Sequence, residues 1–368
     1  MPTLPNESHT SQQNRWPDWK WQLRHRIKDA SSLQPYFQPT PEEEQAISNA
    51  SFPFAITPYY ASLIDASDPR DPLRRAIIPS IAEQYLGSMA QADPCEEDAH
   101  EVVPRLVHRY PDRALLLPTS ECPVYCRYCT RSRWVGSTAP PINEDSLLNA
   151  TQYLREHSEI RDVLISGGDP LLLSDQRISH ILSSLSRIPS IDIIRIGTKT
   201  ATALPMRFTD NLVSILRNFQ PLWLQLHFCH PQELTAEVIA ACKKLADAGV
   251  PLTAQVVLLR GVNNDTSILQ LLFRRLIQLR VRPYYLYQCD PVPNAMHFRT
   301  SVQSGLTIMK QLQGRTTGFA IPTYVIDAPN GGGKIPLQSS YITSISDSEV
   351  VLRNYEDLPY IYPNTNID

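Results

Sequence analysis

Three cysteines, Cys122, Cys126 and Cys129, stand at the spacing CxxxCxxC just after an apolar run, Ala114 to Leu117. Thiolates are soft ligands, and three on one short loop can wrap three corners of a cubic iron–sulfur cluster. The fourth iron then has no protein ligand, and an open site on a low-potential cluster points to chemistry beyond electron carriage. Zinc and disulfides are the rival readings. Structural zinc takes four ligands, usually from two CxxC-like pairs, and no second pair is visible. Disulfides suit small secreted chains with an even number of cysteines, and this chain has seven.

A second signature is Asp327-Ala-Pro-Asn-Gly-Gly-Gly-Lys334. Its glycines let the backbone approach a ligand closely. A phosphate-binding GxxxxGK[ST] loop fails at Ala328 and at Ile335. What remains is a lysine on a glycine-rich loop, which can form a Schiff base with an aldehyde; a plain turn is the alternative. Upstream, His108-Arg109-Tyr110-Pro111-Asp112-Arg113 places two arginines near the cysteine loop. Their forked donors suit a phosphate dianion, or the stretch is an exposed basic turn.

These groups need a frame. The chain has 368 residues, 42% hydrophobic and 19% charged, with a net charge of −3. That is a globular composition with no basic footprint for nucleic acid. No apolar run approaches the roughly 18 residues that span a membrane. The polar N-terminus has no apolar signal core, and the odd cysteine count fits a reducing cytoplasm. Residues 1–15 read as a disordered tail and residues 16–105 as an N-terminal helical region whose tryptophans are core. Residues 106–290 form an alternating α/β core, and residues 291–368 carry Lys334.

In the core, apolar runs of strand length appear at Ala114–Pro118, Asp162–Ser166, Asp192–Ile196, Trp223–Phe228, Thr253–Leu259 and Pro283–Tyr287. Between them lie helix-length segments at Glu144–His157, Asp175–Arg187, Thr209–Phe219, Glu233–Ala248 and Thr266–Leu279, with Ser174 and Thr209 as caps. Mostly apolar strands without alternation are covered on both faces, so the pattern predicts a parallel sheet with right-handed crossovers. Periodicity does not separate an open sheet from a barrel. Polar clusters recur at the C-terminal ends of the strands: the cysteine loop, Ser166-Gly167-Gly168-Asp169, Gly197-Thr198-Lys199, His227 to His230, and Gln288 to Asp290. Cys95, Cys242 and Cys289 read as small packing residues.

The cysteine spacing followed by Thr130-Arg131-Ser132-Arg133 resembles the radical S-adenosylmethionine superfamily. The stretches His108–Leu117, Cys122–Arg133, Val163–Asp175, Arg282–Asp290 and Val325–Pro336 together resemble the lysine 2,3-aminomutase family, over about Trp16 to Asn354. The resemblance implies a partial (β/α)6 TIM-like barrel with an N-terminal helical extension and a C-terminal segment closing the active site. It implies a [4Fe-4S] cluster on Cys122, Cys126 and Cys129, and S-adenosylmethionine against Ser166, Gly167, Gly168, Asp169, His227 and Gln255. It implies pyridoxal 5′-phosphate on Lys334 with its phosphate at Arg109 and Arg113. Arg131 would take the substrate α-carboxylate, and Asp290 and Asp327 the side-chain ammonium of lysine. The implied reaction is the radical 1,2-amino shift between L-lysine and β-lysine. The same shift on arginine, or β-lysine supply for elongation factor modification, are the alternatives.

The sequence departs from the family pattern at several places. Tyr128 replaces a usual histidine, Ser132 interrupts an arginine run, and Cys229 replaces a usual asparagine. Lys199 and Ala201-Thr202-Ala203 replace an arginine-containing stretch, and the loop 291–296 differs. These changes are expected to border the substrate. The tail Val351–Asp368 has no cysteine, and Asp265 occupies the other family zinc position, so zinc is not expected. The expected partners are a small amino acid, a one-electron donor such as flavodoxin or ferredoxin, and further copies of the chain in a homo-oligomer.

Overall fold

The structure, a computed structural model, describes residues 15–85 and 89–364. The expected N-terminal tail lies almost wholly outside the described residues. The core is a ten-stranded mixed sheet in which every strand pairs with its neighbour in the chain. Its strands are β1 Glu101–Val103, β2 Leu106–Tyr110, β3 Arg113–Thr119, β4 Asp162–Gly167, β5 Ile193–Thr198, β6 Leu222–His227, β7 Leu252–Leu258, β8 Val281–Gln288, β9 Thr323–Ala328 and β10 Gly333–Leu337. Strands β3 to β9 run parallel. The two hairpin partners at the start and β10 at the end run antiparallel.

The six expected strands are present within a residue or two. Beyond them, β9 joins β8 in parallel and brings Asp327 into the sheet. The crossovers carry helices Glu144–Glu156, Asp175–Ser186, Asp210–Arg217, Ala236–Asp247, Thr266–Gln278 and Val302–Leu312. Ser174 and Thr209 cap theirs, accepting from the amides of Arg177 and Leu212. One crossover helix starts later than expected. Its cap is Thr235, while Glu233 sits in a preceding 3₁₀ turn, fully buried. Apolar strand faces and helix stripes bury one continuous core, from Leu106 through Ile165, Leu224 and Leu286 to Tyr324.

The N-terminal region is less helical than expected. Short helices cover Trp19–Arg24, Pro41–Ser48, Pro58–Ala61 and Pro72–Ile77. Prolines open three of them. The spacing Leu23, Ile27, Leu33 predicts a longer first helix, but Ile27 instead bridges to Ile56 across an antiparallel pair. Trp21 is core, at 1% exposure, and Trp19 lies under the Arg207 guanidinium at 4.3 Å. This region packs its apolar residues against Val124, Tyr128, Cys229 and Leu259, so it is built onto the mouth of the sheet. Beyond β10, the strands β11 Ile342–Ile345, β12 Glu349–Arg353 and β13 Pro359–Pro363 form a separate antiparallel sheet. No described helix is long and apolar enough to cross a membrane.

Candidate active site

The loop after β3 carries the three thiols and is held from outside the sheet. Arg26 donates to the Cys122 carbonyl (2.6 Å), and the amides of Tyr125 and Arg127 donate to Ala55 and Ala76. The Arg127 side chain, fully buried, forms a two-pronged pair with Glu83 at 2.8 and 2.5 Å. The end of β4 docks on the same loop, with Gly168 N donating to Thr119 O and Asp169 N to Glu121 O. A Cβ at Gly168 would lie 2.6 Å from the Ser120 carbonyl carbon, so only glycine permits this approach.

Every site residue named from the sequence lines one cavity of about 490 Å³. Cys122, Cys126 and Cys129 stand at one part of its wall, with Arg131, Ser166 to Asp169, His227 and Gln255. Arg109, Arg113, Asp290, Asp327 and Lys334 complete it. This juxtaposition is what a radical source and an amine-bearing cofactor in one reaction need.

Burial raises all three cysteine thiols, Cys129 to about 12, and neighbouring cysteines add to the rise at Cys122 and Cys129. Neutral clustered thiols of this kind need a cation to become thiolates, and the iron of a cluster would supply one. Arg109 is almost buried, donates through Nη1 to the Cys95 carbonyl at 2.9 Å, and keeps a buried Nε without a partner. Arg113 lies beside it, with its guanidinium 4.6 Å from the Tyr110 ring. An orphaned donor on Arg109, with both guanidinium groups on the Tyr110 ring, fits an anionic group such as a phosphate.

Lys334 is on strand β10, not on the glycine loop as the sequence suggests. The turn Asn330 to Gly333, with positive φ at Asn330, Gly331 and Gly333, folds β10 back along β9. Lys334 thereby sits directly opposite Asp327, and its Nζ is 2.9 Å from Asp327 Oδ1 and 5.5 Å from the Tyr287 ring. Its backbone amide donates to Tyr110 Oη at 2.9 Å, tying β10 to β2.

The acids form one pole of the cavity. Thr130 Oγ1 donates to Asp290 at 2.5 Å. Burial, with the charge of Asp327 as a lesser contribution, lifts the Asp290 carboxyl from 3.8 to about 6. The Cys95 sulfur lies with these two carboxylates, all donor atoms within 4.8 Å of one another. Cys95 is therefore part of the site wall rather than simple packing, and burial pushes its thiol to about 12. Cys242 and Cys289 are buried, as expected.

Asp169 is oriented away from a free ligand role. Its carboxylate accepts from Thr198 Oγ1 and from the amides of Lys199, Thr200 and Leu171, so it organises the loops around the cavity. His227 Nε2 and Tyr128 Oη share a hydrogen bond of 2.8 Å. Burial, then the nearby Lys199 charge, lowers the His227 imidazole to about 3, so it is neutral. Gln255 donates to Gln225, which also receives Arg195.

The departures from the family pattern pair with one another. Lys199 and Cys229 meet at buried Glu233, which receives Lys199 Nζ at 2.6 Å, Tyr60 Oη at 2.8 Å and the Cys229 amide at 2.6 Å. Ser132 Oγ donates to Asn294 of the altered loop at 2.7 Å. Lys199 and Cys229 thus stand beside His227, not at the acidic pole where a change of substrate would show. The sequence reading missed Glu97, Tyr110, Arg195 and Tyr287, which also line the cavity. Their signals were weak, because Glu97, Tyr110 and Tyr287 sit in charged or aromatic stretches that a solvated edge would equally explain, and Arg195 is a lone charge in an apolar strand.

The family model described as lysine-2,3-aminomutase matches residues 309–367, and that of the radical SAM superfamily matches residues 116–272. The chain is 45% identical to the L-lysine 2,3-aminomutase of Acetoanaerobium sticklandii over 96% of this chain and 86% of that protein. It is 46% identical to that of Clostridium subterminale over 94% of this chain and 84% of that protein. The glutamate 2,3-aminomutase of Clostridioides difficile is also similar, at 42% over 93% of this chain and 81% of that protein.

Proposed function

The chain belongs to the lysine 2,3-aminomutase family of radical SAM enzymes, and from that premise we propose that it interconverts L-lysine and β-lysine by a 1,2-amino shift. It uses a [4Fe-4S] cluster, S-adenosylmethionine and pyridoxal 5′-phosphate. When bound, these groups supply the electron, the hydrogen-abstracting radical and the electron sink that the migration needs. The thiols of Cys122, Cys126 and Cys129 hold the cluster, Lys334 the pyridoxal aldehyde, and Arg109 with Arg113 its phosphate. Ser166 to Gly168 with His227 and Gln255 line the S-adenosylmethionine side, and Asp169 fixes that wall.

The chain's own contribution is position. Arg131 receives the substrate carboxylate, and Asp290 with Asp327 receive the ε-ammonium, so the carbons between are placed by charge at both ends. Lys334 already donates to Asp327 as a cation would. With Lys334 engaged by the cofactor aldehyde, Asp327 would be left to pair with the substrate ammonium. The single observation that carries lysine over glutamate is this pair of acids, buried or half-buried, at one pole of the shared cavity. A γ-carboxylate there would meet two like charges, and the cations at this pole, Lys334 and Arg109, are already paired with Asp327. Neutral His227 binds without adding charge, and the N-terminal region closes the cysteine loop against water.

We further read β3 to β8 as the six units of a partial barrel, with β9 and β10 closing it, on the boundaries 16–105, 106–290 and 291–368. A cytoplasmic homo-oligomer reduced by a flavodoxin or ferredoxin completes the reading. The test is anaerobic reconstitution followed by separate offers of lysine, arginine, ornithine and glutamate. Conversion of lysine and loss of the bound cofactor's visible absorbance in Lys334→Ala are expected. Turnover of glutamate in preference to lysine refutes the charge argument.

A further inference from the structure

We propose that Glu97 is a positioning residue for the substrate carboxylate, fixing Arg131 by one edge of its guanidinium so that the other edge faces the cavity. The inference rests on the carboxylate role of Arg131 given above. Arg131 Nε donates to Glu97 Oε1 and Oε2 at 2.9 and 3.0 Å, and Nη2 donates to Oε1 at 2.7 Å. All of these bonds use the Nε edge. On the opposite side, Nη1 points toward Ser166 Oγ at 3.5 Å, a cavity residue. A guanidinium offers two edges that each match a carboxylate bidentately. Glu97 fills one and leaves the terminal Nη1/Nη2 edge for a ligand.

Glu97 is itself held. It is 6% exposed, and Arg133 Nη2 donates to its Oε2 at 3.3 Å while pairing with Asp98 at 2.9 Å and Asp93 at 3.2 Å. Burial alone would raise the Glu97 carboxyl, but the charges and hydrogen bonds of Arg131 and Arg133 keep it below its ordinary value. The segment that carries Glu97 also places the Cys95 carbonyl on Arg109 and the Cys95 sulfur beside the two acids. One strand of chain therefore touches both the carboxylate pole and the ammonium pole. A plain strut would not need this asymmetry, since Arg133 with Asp93 and Asp98 already fastens the segment.

The physical consequence is specific. The Arg131–Glu97 pair carries little net charge, so it attracts a ligand by directed hydrogen bonds more than by field. Recognition then demands a planar pair of oxygens, and an amide in place of the carboxylate loses one of them. Freed from Glu97, Arg131 recovers its rotamers and no longer presents one fixed edge.

The test uses the anaerobically loaded enzyme with L-lysine and L-lysinamide, and compares Glu97→Gln, Glu97→Ala and the shorter but charged Glu97→Asp. Wild type is expected to prefer lysine strongly. Glu97→Gln should raise KM for lysine about ten- to a hundredfold and leave lysinamide nearly unmoved, as expected when a positioned charged contact is loosened. Calorimetric titration should show the same selective loss, and Arg131→Lys should add little to it. Glu97→Asp should lie between, which keeps the test open if the larger truncations fail to fold. If the lysine-to-lysinamide ratio stays at the wild-type value in a folded variant, or only the melting temperature falls, Glu97 is a strut and the inference is overturned. If wild type itself does not distinguish the two ligands, the fault lies with the role given to Arg131.

Discussion

Asp290→Asn tests the charge ruler most directly. The substitution keeps size and the contact with Thr130, and removes one of two charges from the acidic pole. At an effective dielectric near 20, two unit charges about 4 Å apart interact by about 4 kcal/mol. Asp327 remains to pair the ammonium, so part of that is retained, and loss of one partner of a buried charge pair costs about 2–4 kcal/mol. At about 1.4 kcal/mol per tenfold, kcat/KM for lysine should fall about 30- to 1,000-fold. L-Norleucine has the same chain length without the ammonium, and its binding should not weaken, because Asp290 repels nothing in it and gains nothing from it. The assay is product formation with lysine, alongside competition by norleucine. Unchanged lysine turnover in Asp290→Asn, with the cofactors bound, refutes the assignment of this pole.

The same carboxyl gives a pH signature: its value is raised from 3.8 to about 6 by burial, so it gains a proton as pH falls through 6 and no longer attracts the ammonium. KM for lysine should therefore rise below about pH 6 and level off above it, and Asp290→Asn should flatten that limb. Gly168→Ala forces a methyl to 2.6 Å from the Ser120 carbonyl carbon, in backbone that cannot step aside. It should cost about 2–3 kcal/mol in urea unfolding and lower the iron bound per chain. Glu233→Gln leaves the Lys199 ammonium buried without a counter-charge, and an anaerobic denaturant titration should show a loss of about 3–5 kcal/mol. A loss under 1 kcal/mol in that titration would mean that water reaches the pair.

The sequence exposes the parallel part of the fold because those strands are covered on both faces and read as uninterrupted apolar runs. It hides β1, β2 and β10, whose residues alternate with charge or lie at an edge, as in Leu106–Tyr110, and it hides one parallel strand, β9, whose apolar run Tyr324 to Ile326 is cut short by Asp327. The thiols are legible because few other roles need three cysteines at such spacing, whereas the arginines fit a basic turn equally well and the acids follow only from the family resemblance. Glu97 is not legible: Asp-Pro-Cys-Glu-Glu-Asp looks like solvated loop, and only folding carries it onto Arg131. Cys95 misleads for the same reason, since burial is shared by packing residues and by the walls of a site. The position of Lys334 turns on a hairpin register, which a string of glycines does not specify.

The sheet grows strictly in the order of synthesis, each strand meeting the one made just before it. A chain leaving the ribosome can add β3 through β9 one by one, with short closures and no waiting partner. The amine of Lys334 is the exception, since it belongs to the last strand of this sheet and lines the cavity that the loop after β3 also lines. A nascent chain can thus gather its sulfurs long before it owns a place for its aldehyde. Metal loading can precede vitamin loading, and the order of assembly is written into the order of the strands.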